Sequence, residues 1–372
     1  MNLNIGIVGA GSFAQFAAKA FSKVSGISIV AVTDNNESAA RQFNLSWNSK
    51  IYIDYEAFLN DSNIDLVYIA TPPYLHYAQS KQALLAGKHV ICEKPAALHA
   101  SEAEELAILS KKLQLLYVVN LMQRYNPLFG IVKNIINENV LGEFLHGFFE
   151  NYASDENLKA DHWFWDESKS GGIFIEHGVH FFDLFAGWLG EGRILNAIQL
   201  GRPAAEKNII DRVQATVLYK EGFVNFYHGF DQPKILDRQE MRLQFERGEI
   251  TLYEWVPTKM TLHGLLLKEQ LEKLSEVLKL SIIYHNNGRD DNKKIKGRFS
   301  EIIYDSHVTI KYNDVLNKED RYQEMLSAMV EDQWKWIKDP SHKRVINESN
   351  AVASLKIAAD AKRLAESFNS WE

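Results

Sequence analysis

Short apolar runs alternate with helical patterns over the first third of the chain. Between the runs, apolar residues recur at helical spacing over residues 13–21, 75–85 and 101–113. Runs typical of buried strands occupy residues 4–8, 27–33, 65–70, 90–92 and 115–120. This alternation predicts an α/β domain with a doubly wound parallel sheet over residues 1–122.

The pattern changes beyond residue 142, where most segments are strand-like and Gly222 and Gly248 mark hairpin turns. The charged stretch 286–296 is typical of a solvated turn. We therefore predict a second, α+β domain over residues 123–345 with an open, mostly antiparallel sheet. Helical segments are predicted at 176–189, 262–280, 320–338 and 348–368.

Composition and charge restrict the kinds of partner. Hydrophobic residues make up 46% of the 372 residues and charged residues 24%, as in globular proteins. The formal net charge of -7 argues against nucleic acid as a partner. Cys92 is the sole cysteine, which excludes an intrachain disulfide and a cysteine zinc cluster. We find neither a membrane-spanning apolar run nor a basic leader, so we expect a cytoplasmic protein without a membrane partner.

The first chemical signal is the turn after the first apolar run, with a helix beginning near Ser12 and Phe13. Gly9 permits a tight turn, Gly11 lets the main chain approach a pyrophosphate, and Ala14 allows close packing of helix on strand. The helix N-terminus favours phosphate charge. This order of strand, glycine turn and helix favours a dinucleotide site over a purely structural turn.

The second apolar run ends at Asp34, 20 residues beyond Ala14 (34 − 14 = 20). An acidic residue at this place hydrogen-bonds the hydroxyl groups of the adenosine ribose. It would repel a 2′-phosphate, and the neighbouring Asn35 and Asn36 supply no cation to offset that repulsion. We therefore predict NAD as the cofactor in preference to NADP.

A second signal lies at the end of the apolar run 90–92, where Glu93, Lys94 and Pro95 follow. Pro95 cannot donate to a sheet and keeps Lys94 extended, so the strand is predicted to end there. Ligands of open α/β sheets bind beyond the carboxyl ends of the strands. Lys94 in that place suits a proton donor, an oxygen-binding cation or a structural ion-pair partner.

A histidine with carboxylates at helical spacing follows two glycines at positions 171 and 172. If the segment is helical from about residue 174, Glu176, His180 and Asp183 lie on one face. A carboxylate one turn away would orient the His180 ring and support its charged form, as in an acid–base unit. A surface ion pair, or a ring bound to a main-chain carbonyl, would explain the same spacing. His177 lies on another face and is predicted to be structural.

Other residues are candidates for the walls of a cleft. Tyr125 and Asn126 follow the first domain, and an aromatic segment, residues 162–165, includes Trp163. We place Tyr125 and Trp163 among the candidate substrate contacts, because aromatic side chains can cover a sugar ring. Such residues are at least as often part of a core or an interface.

Together these motifs resemble the glucose–fructose oxidoreductase / inositol dehydrogenase / rhizopine-catabolism (Gfo/Idh/MocA) family over nearly the whole chain. The resemblance rests on the glycine turn with Asp34, residues 70–73 with His76, residues 87–95, and residues 171–172 with His180 and Asp183. It implies an N-terminal Rossmann domain, an open antiparallel sheet domain, and a helix at about 348–368 that packs back on the first domain. It also implies that the cofactor site includes Thr71, Pro72, His76, Glu93 and Lys94.

The chemistry implied by the resemblance is NAD(P)-linked oxidation or reduction of a hydroxyl or carbonyl carbon on a sugar, cyclitol or related small molecule. Lys94 and His180 would act on the substrate hydroxyl, and no metal is needed because the ammonium stabilises negative charge on oxygen. Many family members carry aspartate where this chain has Glu176, which leaves the role of that position open. An NAD-using reaction without net redox change and a non-catalytic NAD-sensing regulator remain alternatives.

The strand-like segments of the second domain also suggest self-association. Phe144, Phe148, Val224 and Phe226 suggest sheet faces too apolar for water. We therefore expect a homodimer or homotetramer joined through this sheet.

Overall fold

Two large β-sheets organise the chain. The fold is given by a computed structural model that describes residues 2–155, 157–204, 207–220, 222–277, 281–285, 292–297 and 301–368. None of the helices in these ranges is long and apolar enough to cross a membrane.

The first sheet is parallel, as predicted, and helices cover both its faces. Its strands are β1 (Leu3–Val8), β2 (Ile27–Thr33), β3 (Lys50–Tyr52), β4 (Leu66–Ile69), β5 (His89–Cys92) and β6 (Tyr117–Val119). Its helices are α1 (Ser12–Phe21), α2 (Glu37–Trp47), α3 (Tyr55–Leu59), α4 (His76–Leu85) and α5 (Ala100–Leu113). The strand order β3-β2-β1-β4-β5-β6 is that of dinucleotide-binding folds. It brings the carboxyl ends of β1, β4 and β5 together at one edge.

The second sheet is mixed, with nine strands. Its strands are β7 (Phe144–Tyr152), β8 (Arg193–Ala204), β9 (Lys207–Leu218), β10 (Phe223–Gly229), β11 (Arg238–Phe245), β12 (Gly248–Tyr253), β13 (Lys259–Leu266), β14 (Ser281–Tyr284) and β17 (Ser306–Asn313), while β15 (Lys293–Lys296) pairs with β16 (Glu301–Tyr304). The order is β14-β17-β13-β12-β11-β7-β10-β9-β8. Among the described strands of this second sheet, β7 and β10 form the only parallel pair, so the predicted, mostly antiparallel sheet is confirmed.

One face of this sheet is covered by helices. The helices of the second half are α6 (Pro127–Asn137), α7 (Glu167–Ser170), α8 (Val179–Leu189), α9 (Lys268–Val277), α10 (Lys318–Lys338) and α11 (Glu348–Phe368). On α8, Phe181 stacks on Phe149 of β7 with ring centroids 3.6 Å apart, and Phe182 lies 4.9 Å from Phe226 of β10. These aromatic contacts fix the helix that carries His180.

Helices α10 and α11 return from the second sheet to the first. The Gln323 side chain of α10 donates to the Phe16 carbonyl of α1 at 2.7 Å, and Ser327 donates to the Ala20 carbonyl at 2.8 Å. Helix α11 packs against α5 and β6, and also against α8. Lys111 of α5 pairs with Glu348 of α11 at 3.4 Å. The α11 helix thus contacts both halves of the molecule.

Two predictions about the second half need correction. The predicted helix 262–280 is wrong at its start, because residues 259–266 form β13 with alternating burial and the helix begins only at Lys268. Its predicted end, residues 278–280, lies outside the described residues. In the predicted turn 286–296, residues 286–291 lie outside the described residues, and 293–296 form β15.

The apolar residues offered for self-association lie mostly in the core. Phe144, Val224 and Phe226 are buried, and Phe148 alone of the four is half-buried on the outer face. The register explains this, because Val224 pairs with Gly147 and Phe226 with Phe149 on the inner face. The homo-oligomer stays a prediction, and these four residues no longer support it as a set.

Candidate active site

The turn between β1 and α1 is shaped for a ligand that approaches the main chain. Gly9 has φ +90°, and a Cβ there would lie 2.8 Å from the Ala70 carbonyl oxygen, so only glycine fits. A Cβ at Gly11 would meet nothing within 4 Å. No side chain caps the N-terminus of α1, which leaves the amides at Ser12 and Phe13 for an anion. These residues fit the diphosphate of a dinucleotide.

Asp34 holds this turn as well as facing the ligand side. Its Oδ2 accepts from the Ala10 amide at 2.7 Å, and its Oδ1 accepts from the Asn36 amide at 2.7 Å. The carboxylate is half-buried, and each oxygen keeps a lone pair for a ribose hydroxyl. The second role, in holding the turn, was not predicted from the sequence.

His76 ties together the loops that follow β4 and β5. Its Nδ1 lies 2.7 Å from the Pro95 carbonyl oxygen, and its Nε2 lies 2.7 Å from the Thr71 carbonyl oxygen. Burial lowers the pKa of His76, and the two carbonyls oppose that shift. Both ring nitrogens of this predicted cofactor residue are therefore used by the main chain. Pro72 precedes the short turn Pro73–Leu75 that leads into α4.

Glu93 joins the ends of three neighbouring strands. Its buried carboxyl group accepts hydrogen bonds from the Tyr68 hydroxyl and, at 2.7 Å, from the Asn120 side-chain amide. Burial raises the pKa of Glu93, against the effect of these hydrogen bonds. Tyr68 and Asn120 were not predicted from the sequence. The Glu93 side chain thus braces the carboxyl edge of the sheet next to Lys94.

Lys94 reaches from the end of β5 to the segment before α8. Its Nζ donates to the Glu176 carbonyl oxygen at 2.8 Å and also to the Glu176 carboxylate. The two side chains are 18% and 11% exposed, so water weakens their attraction only partly. The peptide bond between Lys94 and Pro95 is cis. Lys94 therefore links the two sheets through an ion pair.

The predicted pairing of Glu176 with His180 is replaced by this pairing with Lys94. The reason is local, because residues Phe174–Gly178 form a π-helical turn before the regular helix α8 begins. A π turn holds more residues than an α turn, so positions 176 and 180 no longer stack as the spacing predicted. Glu176 itself lies where the sequence expected chemistry, with a different partner.

His180 presents an unused ring nitrogen in a buried place. The residue is 6% exposed, and its Nδ1 has no hydrogen-bond partner among the described residues. Burial, followed by the charge of Lys94, lowers the pKa of His180 well below its usual range. The ring is therefore neutral, which suits acceptance of a proton.

Asp183, the other carboxylate of the predicted helix face, is engaged elsewhere. Its two oxygens accept from the Arg124 guanidinium, each at 2.8 Å. The carboxylate is 2% exposed. This paired, bidentate geometry fixes α8 against the segment after β6 and leaves Asp183 a structural role.

Two further histidines lie behind His180. The Nδ1 atoms of His177 and His228 are 2.9 Å apart. Burial lowers the pKa of His177 well below its usual range and that of His228 to about 3. The His228 Nε2 has no partner among the described side chains. The expected structural role of His177 fits its contact with His228, while His228 itself was missed.

The aromatic segment adjoins this histidine pair through Phe230. The Phe230 ring lies 5.1 Å from His177 and 5.3 Å from Phe164. Trp163 is half-buried, and its ring contacts are with His162 at 5.3 Å and Phe164 at 6.2 Å. Phe164 and its neighbour Trp165 therefore pack inward, and Trp163 stands at the rim.

A row of aromatic rings connects the nucleotide turn to His180. Phe13 lies 6.0 Å from Tyr322 of α10, Tyr322 lies 5.2 Å from Trp255, and Trp255 lies 6.3 Å from the His180 ring. Sequence spacing gave no signal for Trp255, which follows β12. Tyr322 lies in an amphipathic helix that predicts burial only. The row lines one side of the space between the two sheets.

Tyr125 and Asn126, the other cleft candidates, are bound to neighbouring elements. The Tyr125 hydroxyl donates to the Asp332 carboxylate at 2.7 Å. The Asn126 side chain donates to the Pro257 carbonyl at 2.9 Å and caps α6 through the Leu128 amide. Their polar groups are thus used within the fold, and a substrate contact by Tyr125 stays a prediction.

Comparison with known proteins decides the family. A family model described as an oxidoreductase family with an NAD-binding Rossmann fold matches residues 3–121. A second model, the GFO/IDH/MocA C-terminal domain, matches residues 129–251. This chain belongs to the Gfo/Idh/MocA oxidoreductase family. The resemblance found in the sequence motifs is confirmed, and with it an NAD-binding oxidoreductase.

Individual relatives agree with this assignment. The chain is 28% identical to oxidoreductase P35 of Formosa agariphila over 263 residues, 69% of this chain and 81% of that protein. It is 27% identical to levoglucosan dehydrogenase of Pseudarthrobacter phenanthrenivorans over 213 residues, about half of each chain (53% and 54%). The structure of a levoglucosan dehydrogenase in complex with NADH superposes with a TM-score of 0.77, at 17% identity, over 99% of this chain and 98% of the other. At that identity the superposition shows the shared fold.

Proposed function

We propose that this Gfo/Idh/MocA protein oxidises a hydroxyl-bearing carbon, or reduces the corresponding carbonyl, on a sugar, cyclitol or related small molecule. The observation that carries the proposal is the meeting of Lys94 and the His180 segment. The ammonium stands at the carboxyl end of β5 and binds the turn next to His180, whose Nδ1 has no partner among the described residues. Lys94 ends a strand of the first sheet and His180 lies on a helix packed on the second, so we expect cofactor and substrate to meet where these elements approach.

Lys94 and His180 divide the work on one hydroxyl group. Nicotinamide, when bound, accepts or supplies the hydride. The neutral His180 ring takes the hydroxyl proton during oxidation and returns it during reduction. The Lys94 ammonium donates a hydrogen bond to the substrate oxygen and stabilises the negative charge that develops there.

Glu176 acts as a positioning residue for Lys94. Through its carboxylate and its carbonyl oxygen it holds the ammonium in one place before substrate arrives. A lysine side chain has much rotamer freedom, so this restraint lowers the cost of ordering it. Glu176 thus orients Lys94, whereas its spacing in the sequence predicted that it would orient His180.

NAD is the proposed cofactor in preference to NADP. Asp34 brings a carboxylate directly after β2 and is followed by Asn35 and Asn36, which are exposed and uncharged. A 2′-phosphate would meet the carboxylate without a cation nearby. Gly9, Gly11, Ser12 and Phe13 would hold the diphosphate at the start of α1.

We also propose self-association through the outer face of the nine-stranded sheet. Phe223 is 42% exposed there and is paired with His146, and Phe148, two residues further along β7, is half-buried. These side chains lie on β7 and β10, the two central parallel strands. Light scattering at micromolar concentration checks the proposal, and a monomer would contradict it.

The reaction is tested by the absorbance of nicotinamide. Purified protein is mixed with NAD and a panel of sugars, cyclitols and sugar acids, including levoglucosan because a levoglucosan dehydrogenase is among the relatives. A lasting rise in NADH with one class of compound supports the proposal. Product without lasting NADH would indicate a reaction with no net redox change, and neither signal would indicate a regulator.

A further inference from the structure

Three histidines meet on the outer face of the nine-stranded sheet. His263 lies on β13, His307 lies on β17, and His285 follows the last residue of β14. One ring nitrogen of each histidine lies within 4.8 Å of the others. The alternating neighbours Leu262 and Val308 are in the core, so the histidines project from the opposite face. Helix α8 packs on the inner face, so this cluster is separate from the candidate active site.

The strand register brings the three rings together. The His307 carbonyl accepts the His285 amide at 2.9 Å, which places these two residues side by side. His263 is paired with Thr309. Because Thr309 lies two residues along β17 from His307, His263 and His307 are diagonal neighbours. The Nε2 atoms of His263 and His307 are 2.8 Å apart, and the His285 Nε2 is 2.7 Å from the Thr309 hydroxyl.

We propose that His263, His285 and His307 bind one divalent transition-metal ion of the zinc type, with water as the fourth ligand. Imidazole is a preferred ligand of zinc, copper and nickel, and three histidines with one open position make a known type of zinc site. Zinc–nitrogen bonds of about 2.0–2.1 Å place tetrahedral ligand atoms about 3.3 Å apart. The 2.8 Å between the Nε2 atoms of His263 and His307 is shorter than that value, and all three ring nitrogens lie within 4.8 Å of one another. Small rotations of the side chains therefore complete the site.

Charged side chains of both signs lie near the cluster. Glu249 of β12 is paired with His263 and brings a carboxylate to the same face. Lys311 is exposed two residues beyond Thr309 and opposes the cation. The three imidazoles can contact the ion directly, whereas Lys311 lies farther along the strand, so its repulsion of the ion is the weaker effect.

The ion would fasten an edge of the sheet. Strand β14 lies at one edge of the sheet, and the chain between β13 and β17, which we call the elaboration, includes α9, β14, β15 and β16 in its described parts. The three histidines are spaced 22 residues apart (285 − 263 = 22 and 307 − 285 = 22). One ion therefore closes two loops of the elaboration onto β17, and the role we assign to it is structural.

Metal binding is tested on protein without a histidine tag, first stripped with a chelator. Titration with Zn²⁺ in a calorimeter should show one ion per chain, and Co²⁺ should give the intense visible absorption of a four-coordinate site. The midpoint of thermal unfolding should rise with Zn²⁺, because an ion that binds only the folded chain stabilises it. Weak binding of several ions, or the faint bands of six-coordinate Co²⁺, would overturn the proposal.

Variants assign the binding to the three rings. His285→Gln changes an exposed side chain, so the fold should survive, and far-UV circular dichroism checks that. His285→Gln and His263→Gln should each weaken Zn²⁺ binding by at least the about 10–100-fold that loss of an outer-shell partner costs. The control His146→Gln alters a histidine of the same face on β7 and should leave binding unchanged. The proposal would be overturned if all three variants bound Zn²⁺ equally, or if the unaltered chain bound none. The cluster would then be only a hydrogen-bonded pair, His263 and His307, with His285 beside it.

Discussion

The two sides of the candidate active site differ in how their polar groups are used. On the cofactor side, Asp34, His76, Glu93 and Lys94 each have partners within the chain. On the other side, His180 Nδ1 and His228 Nε2 are buried without a partner among the described residues.

The difference concerns the ionisable side chains, because Asn120 Oδ1, beside Glu93 on the cofactor side, also lacks a partner among the described residues. A buried group without a partner costs about 1–3 kcal/mol, so it persists where binding or chemistry will use it. The cofactor is common to a whole family and its side can be fixed in advance. The substrate varies, and we expect it to bind near the His180 ring, whereas His228 is fully buried in the core.

The largest expected effect comes from Lys94, the point where the two sides touch. Lys94→Ala should lower turnover by at least about 10²–10⁴-fold, because both proton-transfer help and an oxygen-binding cation are lost. NAD affinity should stay nearly unchanged, because the glycine turn and Asp34, which we expect to bind the diphosphate and the ribose, are distant from Lys94 in sequence and are held by other contacts. Steady-state kinetics and calorimetry with NAD measure the two quantities. Full activity in the double variant Lys94→Ala, His180→Ala would place the chemistry elsewhere.

His180 should come next in size and give a pH signature. His180→Ala should lower turnover by about 10²–10⁴-fold, since the His180 ring is the proposed proton acceptor. In the unaltered enzyme the ring stays neutral until the pH falls through its lowered pKa, so the acid limb of kcat/KM should lie below about pH 6.5. A limb at or above that pH would argue against a buried neutral histidine as the base.

Glu176 tests whether the pairing with Lys94 matters. Glu176→Gln removes the charge and should lower kcat by about 10–100-fold, the equivalent of about 1.5–3 kcal/mol for a hydrogen bond to a charged group. Glu176→Asp keeps the charge, so its kcat should lie between those of the unaltered enzyme and of Glu176→Gln. If Glu176→Gln instead shifted the acid limb of kcat/KM that we assign to His180 and left kcat unchanged, the predicted pairing of Glu176 with His180 would be supported.

His228 should reveal its burial through stability. Its pKa is lowered to about 3 in the folded chain. The contribution of His228 to the free energy of unfolding is therefore fully present above about pH 6.5 and is lost as the pH falls below that value. The free energy of unfolding should drop by about 1.4 kcal/mol per pH unit for this residue. Urea unfolding at pH 7 and pH 5 should show a smaller drop for His228→Phe. The exposed control His285→Gln, in metal-free protein, should behave like the unaltered chain.

Asp34 should give the smallest shift, in cofactor preference. Asp34→Ser with Asn35→Arg removes one charged hydrogen bond and adds a cation, so the ratio of NAD to NADP affinity should fall by about tenfold or more. Calorimetric titration with both cofactors measures the ratio. Equal affinities before the change would contradict the role given to Asp34.

Local signals in the sequence were sufficient to place the glycine turn, Asp34 and Lys94 at the ends of strands. The glycine turn, Asp34 and Lys94 are each defined by a strand end and its next few residues, so short-range patterns predict where they lie. The substrate side depends on contacts between distant segments. His177 and His228 are 51 residues apart and meet only through the packing of α8 on the sheet.

Two errors show where periodicity misleads. The spacing of Glu176 and His180 predicted a shared face, and a π turn removed it. The stretch from residue 262 contains enough leucines for a helix, yet Leu262, Gly264 and Leu266 are buried alternately in β13. In both cases tertiary packing overrode a local preference.

The return of α11 to the first half has a consequence for the order in which the chain folds. The ion pair between Lys111 and Glu348 closes a loop of 237 residues (348 − 111 = 237), and the whole nine-stranded sheet lies inside it. Contacts so distant in sequence slow folding, because the entropy of closing the loop is lost before the contact forms. During synthesis, α5 and β6 leave the ribosome long before α11 can cover them. A nascent chain therefore shows an apolar surface for many seconds, which makes it a natural client for chaperones.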